Sequence, residues 1–127
     1  MKKIIQTDKA PAPIGPYSQA ILVGDTLYTS GQIALDAESG ELVLSNITLE
    51  TRKVMLNMQA VLLAAGMDFE NVVKSTIFLS SMEHFNAVNE VYGSYFDDQA
   101  APARETVEVA GLPKKVNVEI SMIAIKS

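Results

Sequence analysis

Arg104 and Glu119 stand fifteen positions apart in the stretch Pro102-Ala-Arg104-Glu-Thr-Val-Glu-Val-Ala-Gly-Leu-Pro113-Lys-Lys-Val-Asn-Val-Glu119-Ile, and their chemistry is complementary. Arginine is scarce in this chain, occurring only as Arg52 and Arg104. A guanidinium carried on a strand offers two parallel hydrogen bonds to a carboxylate or phosphate. A glutamate beside it can orient or activate a water molecule. The pair points to a small anionic substrate and hydrolytic chemistry. An Arg–Glu pair on adjacent strands is also a common structural ion pair, so residue types alone leave both readings open.

Other chemistries are excluded by what the chain lacks. There is no cysteine, which removes disulfides, thiolate metal sites and cysteine nucleophiles together. His84 is the only histidine, so a metal site of the HExxH kind is impossible and a Ser-His-Asp triad has one possible base. A formal net charge of −5 argues against a broad grip on nucleic acid. No apolar run approaches the roughly 20 residues of a membrane span, and the N-terminus lacks the features of a signal peptide. The expectation is a cytoplasmic protein with no membrane or nucleic-acid partner, folded as a single domain over residues 1–127.

The elements that must position the pair follow from the pattern. Lys2 to Gln6 reads as an edge strand, and Ala10-Pro-Ala-Pro-Ile-Gly-Pro16 as a stiff loop, because each proline removes a donor and restricts its neighbour. Tyr17–Val23 and Thr26–Ser30 read as a hairpin about Gly24-Asp25. A turn follows at Glu38-Ser-Gly-Glu41. Thr51, Val54, Met55, Met58, Val61, Leu62 and Ala65 repeat at helical spacing between a cap at Ser45-Asn46 and a stop at Gly66. Asn71–Leu79 is a strand by composition. Ser80 and Glu83 fit a capping box for a second helix that buries Phe85, Val88, Tyr92 and Phe96. The last two strands, about Arg104–Val109 and Val116–Lys126, are joined by a Gly-Leu-Pro turn.

This order predicts an α+β fold, a mixed sheet with two helices packed on one face. In the last strand Val116, Val118, Ile120 and Met122 alternate with Asn117, Glu119, Ser121, Ile123 and Ile125. With the first set against the helices, Ile123 and Ile125 lie on the uncovered face, with Phe78 depending on pairing. Such a face needs a cover, and a partner subunit is the natural one. If Val107 and Val109 also face the helices, Arg104, Thr106 and Glu108 fall on the face of Glu119. A site between subunits is the expectation.

Ile14-Gly-Pro-Tyr17-Ser-Gln-Ala, Thr29-Ser30-Gly31-Gln32-Ile33, Pro102-Ala-Arg104 and Val118-Glu119-Ile120 together resemble the Rid family, in particular its YjgF/RidA subgroup, over about Ala10 to Ile125. The resemblance implies a chorismate-mutase-like domain, a homotrimer with inter-subunit sites, and no cofactor or metal. It implies hydrolysis of reactive 2-imino acids and their enamine tautomers, such as 2-aminoacrylate and 2-iminopropanoate, to 2-oxo acids and ammonia. By position, Arg104 would clamp the substrate carboxylate, Glu119 would place water, and Tyr17 from a neighbouring subunit would help orient water or leaving nitrogen. Ser30, the Gly31 backbone and Thr106 would line the pocket. Relatives often carry cysteine where Thr106 stands, and a small residue where Glu105 stands. Two other functions compete: a non-catalytic binder of small carboxylates, and an endoribonuclease or translation inhibitor. The acidic charge and the absence of an aromatic stacking platform count against the last.

Overall fold

The computed structural model describes residues 1–127. Four short or medium strands are set by local pattern: β1 Lys2–Ile5, β2 Ala20–Val23, β3 Thr26–Thr29 and β4 Val72–Leu79. Two more, β5 Ala103–Glu108 and β6 Val118–Ile125, complete one six-stranded sheet in the order β1-β2-β3-β6-β4-β5. All neighbours are antiparallel except β4 and β5. That parallel pair is connected through helix α2, Phe85–Gly93, since a parallel return needs a crossover. Helix α1, Ile47–Ala64, packs beside α2 on the same sheet face.

α1 begins where Asn46 accepts the amide of Leu49 at 2.9 Å, satisfying a donor that the first turn leaves free. It stops at Gly66, whose φ of 75° lets the Gly66 and Met67 amides donate back to Leu63 and Leu62. Val54, Met55, Met58, Val61 and Leu62 are fully buried against Leu27, Ile77, Leu79, Val118, Ile120 and Met122 of the sheet. The methionines at 55, 58 and 122 are therefore core, as their spacing predicts. No helix is long and apolar enough to cross a membrane.

The expected capping box at Ser80 does not form. Ser81 caps a short 3-10 turn, Met82–His84, by accepting the Glu83 amide, and Ser80 is drawn instead to Asn117. The 7–19 loop is longer than expected, since β2 starts only at Ala20. The buried Gln19 side chain accepts the Thr7 amide at 2.7 Å and donates to the carbonyls of Thr7, Ala10 and Pro11. One amide thus substitutes for the sheet pairing that the prolines forbid.

The connection from β5 to β6 is a larger correction. Residues 102–120 do not form two neighbouring strands about a turn: β4 lies between β5 and β6. The connecting turn, Pro113–Lys115, places Lys114 and Lys115 at φ 54° and 57°, a region that costs a residue with a Cβ about 1–2 kcal/mol. Lys115→Gly removes that strain and adds back some unfolded-chain entropy. We expect a net gain of about 0.5–1 kcal/mol, read as a higher urea midpoint at unchanged slope.

The helix-facing alternation of β6 matches expectation: Val118, Ile120, Met122 and Ala124 are buried. The opposite face, free of helices, carries Tyr28, Phe78, Val107 and Ile123 along paired register positions. Tyr28 is 50% and Val107 42% exposed. A single chain leaves this apolar surface uncovered.

Candidate functional site

Arg104 lies on the helix side of the sheet, not on the face of Glu119. Its register partner on β4 is Ser75, which is buried and accepts the Tyr92 hydroxyl at 2.8 Å from α2. The guanidinium carbon sits 5.2 Å from the Tyr92 ring centre and 5.7 Å from that of Phe85. Nη1 donates to Asn89 Oδ1 at 2.7 Å. Phe85, Asn89 and Tyr92 are spaced four and three apart, so one face of α2 forms the cradle. The alternation argument failed because β5 is the edge strand beyond α2, where Val107 turns to the open face instead.

No carboxylate of the chain pairs with Arg104, so its remaining donors are free. Thr106, two residues on, shares its side of β5, and its hydroxyl is buried without a hydrogen-bond partner. Burial pushes the Tyr92 hydroxyl up, although its bond to Ser75 and the Arg104 charge pull it down. Glu105 points to the opposite face. There it accepts the Thr76 hydroxyl at 2.7 Å and pairs with Lys74 at 3.1 Å. The Thr76 hydrogen bond, then Lys74, holds its pKa below the usual value. Glu105 therefore does not compete for the Arg104 guanidinium.

Glu119 belongs to a second cluster. Its register partner Phe78 faces away from the helices. On the other flank lies Gly31, where a Cβ would stand 2.6 Å from Glu119 Oε2 and 2.9 Å from Cγ. No side chain fits at position 31 while Glu119 keeps its place. Burial raises the Glu119 pKa above the ordinary carboxylate value, with no charge or hydrogen bond opposing it. Gln32 and Ile120 exchange both backbone hydrogen bonds, at 2.8 and 3.1 Å, which fixes the strand just beyond Glu119.

Ser30 and Tyr17 stand beside this cluster. The Ser30 hydroxyl donates to the Ser18 carbonyl at 2.6 Å and the Ser30 amide to Gln19 at 2.9 Å. Ser30 thus ties the loop bearing Tyr17 to the end of β3. Tyr17 is 52% exposed, and its hydroxyl accepts only the nearby Ile14 amide at 3.2 Å.

The candidate residues therefore divide: Glu119 lies against Gly31, Ser30 adjoins Gly31 and anchors the loop that carries Tyr17, and Arg104 with Thr106 stands apart. Arg104 aligns with Ser75 and Glu119 with Phe78, on opposite faces with β4 between. Two strand spacings and three residues of offset separate their Cα atoms by roughly 14 Å. Within one chain they cannot hold one small substrate. The sequence reading assigns Phe85 and Tyr92 to the core and passes over Asn89, although its helical spacing with the two aromatics was a usable signal. No group of three or more His, Cys, Asp or Glu residues is arranged to hold a metal ion.

Comparison with known proteins adds a family context. The family model for endoribonuclease L-PSP matches residues 7–126. A human 2-iminobutanoate/2-iminopropanoate deaminase is 48% identical over 126 residues, covering 99% of this chain and 91% of that protein. A member of the conserved Rid protein family from Yersinia pestis superposes with a TM-score of 0.96 at 46% identity, covering 99% of this chain and 100% of that one. Escherichia coli TdcF, solved with bound serine, gives a TM-score of 0.92 at 39% identity, covering 98% and 99%.

Proposed function

Because the chain belongs to the endoribonuclease L-PSP family, that of the Rid proteins, we propose that it hydrolyses 2-imino acids to 2-oxo acids and ammonia. The observation that carries this reading is Arg104, an arginine oriented by Asn89 and two rings yet lacking a carboxylate partner in its own chain. A relative named as an imine deaminase and a fold neighbour holding serine support a ligand of amino-acid size. Serine shares its carboxylate and its substituted C2 with a 2-imino acid.

The site is completed by a second copy. Arg104 and Thr106 of one subunit meet Tyr17, Ser30, Gly31 and Glu119 of a neighbour, and the apolar open face is buried between copies. The family resemblance supports a homotrimer for this assembly. Arg104 holds the substrate carboxylate through two parallel N–H donors. The substrate C2 is already electrophilic, so positioning supplies much of the rate. Glu119 accepts a proton from water as its oxygen attacks C2, and the C=N π pair passes to nitrogen. The proton then moves to nitrogen, giving a carbinolamine. Glu119 then relays the C2 hydroxyl proton to the nitrogen; the C2–N bond breaks with its electron pair leaving on nitrogen as ammonia, and the oxygen pair closes the C2=O bond of the 2-oxo acid.

Decay of 2-iminopropanoate, generated from serine by a dehydratase, tests this directly. The reading requires faster decay with the protein present than without. A folded oligomer that binds the product 2-oxo acid but leaves the decay rate unchanged would favour the carboxylate-binding function instead. Gly31→Ala gives a narrower check. The added methyl displaces the Glu119 carboxylate, and we expect kcat to fall about 10- to 100-fold, as for a misplacement of about 1 Å. Thermal stability should change little, because the displaced group is the free end of a side chain.

A further inference from the structure

Glu50 is fully buried in the first turn of α1, and no cation pairs with it. Its Oε2 accepts the amides of Asn117 at 2.8 Å and Val118 at 3.2 Å, and its Oε1 accepts the Asn117 side-chain amide at 2.8 Å. Asn117 is fixed again from the residue just after β4, where the Ser80 amide donates to its carbonyl at 3.0 Å and the Ser80 hydroxyl to its Oδ1 at 3.1 Å. These contacts lock the two residues that immediately precede Glu119.

A buried carboxylate is an expensive way to fill a core position, and an apolar side chain of similar volume often serves stability as well or better. An apolar side chain cannot accept two consecutive backbone amides. Beyond Glu119, the Gln32–Ile120 bridge supplies the second fixed point. Glu119 is thus suspended between two pins, one from α1 and one from the segment after Gly31, and the wall at Gly31 admits no side chain. We propose that Glu50 is a positioning residue for Glu119: it anchors the start of β6 so that the Glu119 carboxylate stays seated against Gly31. This rests on the deaminase reading for its kinetic consequence, though not for its structural one.

The requirement is for an acceptor with the right reach, not for negative charge. Glu50→Gln keeps one oxygen for the two backbone amides, and a flip of the Asn117 side chain restores the remaining bonds. Glu50→Leu removes every acceptor, and Glu50→Asp keeps the charge but shortens the reach by one methylene. The experiment measures kcat and KM for 2-iminopropanoate in the three variants and titrates the Glu119 carboxyl by carbon-13 NMR in the intact oligomer. We expect Glu50→Gln to stay within about threefold of the parent. Glu50→Leu should lose about tenfold or more in kcat with KM within about threefold. Its Glu119 midpoint should move toward the ordinary carboxylate value, while that of Glu50→Gln should not, although both variants lack the same charge. If Glu50→Leu does not fold, Glu50→Asp decides by the same two readings, with a smaller loss expected. Parent-like kcat and an unmoved Glu119 midpoint in the folded variant would overturn the proposal. If the parent itself shows no deaminase activity, the functional reading fails, and the NMR midpoints alone decide whether Glu50 positions Glu119.

Discussion

Arg104→Ala is expected to lower kcat/KM for 2-iminopropanoate by about 10²- to 10⁴-fold. Each hydrogen bond to a charged group contributes about 1.5–3 kcal/mol, and each 1.4 kcal/mol is a factor of ten. Two such bonds to the substrate carboxylate would be lost together. The carboxylate is present in substrate and transition state alike, so most of the loss should appear in KM. Arg104→Lys keeps the charge but not the planar pair of donors, and should recover only part of the activity. Stability should change little. The side chain is half-buried, and its stacking on Phe85 and Tyr92 contributes only about 0.5–1 kcal/mol per ring. A variant with parent kinetics would remove the clamp from the account.

Glu119→Gln should show the opposite split, losing about 10²- to 10⁴-fold in kcat with KM little altered. The parent rate should fall on the acid side with an apparent pKa above the ordinary glutamate value, because burial raises that of Glu119. The same shift has a consequence for stability. A folded-state pKa above the unfolded one means that the native protein binds this proton more tightly. The stabilisation is complete below the unfolded pKa and is lost as pH rises through the folded one. Once the pH exceeds its folded-state pKa, Glu119 is ionised in a place that disfavours charge. Glu119→Gln should therefore raise the melting temperature at pH 7 while abolishing most activity, and the gain should vanish near pH 4. A lower melting temperature at pH 7 would mean that the carboxylate is structurally supported, against the burial seen here.

The distribution of side chains explains which parts of this were legible in the sequence. α1 and the alternation of β6 were, because periodicity alone decides which residues a single sheet face must bury. Arg104 and Glu119 stood out as candidates by residue type, and Gly31 through the family resemblance. The placement of Arg104 was not legible, since its side of β5 depends on which strand β5 joins. The Gly-Leu-Pro turn suggested pairing with β6, whereas α2 carries the chain across to the far side of β4. Ser80 was misread for a related reason: its hydroxyl had a long-range partner in Asn117 that no local pattern reveals. Glu50 carried no signal beyond a charged residue in a helix first turn, and its role depends on a contact across 67 positions.

The separation of Arg104 and Glu119 within one chain leads to the most direct test of the account. Arg104→Ala and Glu119→Ala oligomers, each strongly impaired at substrate concentrations below the parent KM, would be dissociated together in equal amounts, reassembled and assayed there for 2-iminopropanoate hydrolysis. If each site joins the Arg104 side of one subunit to the Glu119 side of another, random mixing makes about a quarter of the sites native in both halves (one half times one half). The account predicts activity near that fraction of the parent's, from two preparations that each fall far below it alone. A reassembled mixture of confirmed mixed composition that remained as impaired as the two preparations alone would contradict it.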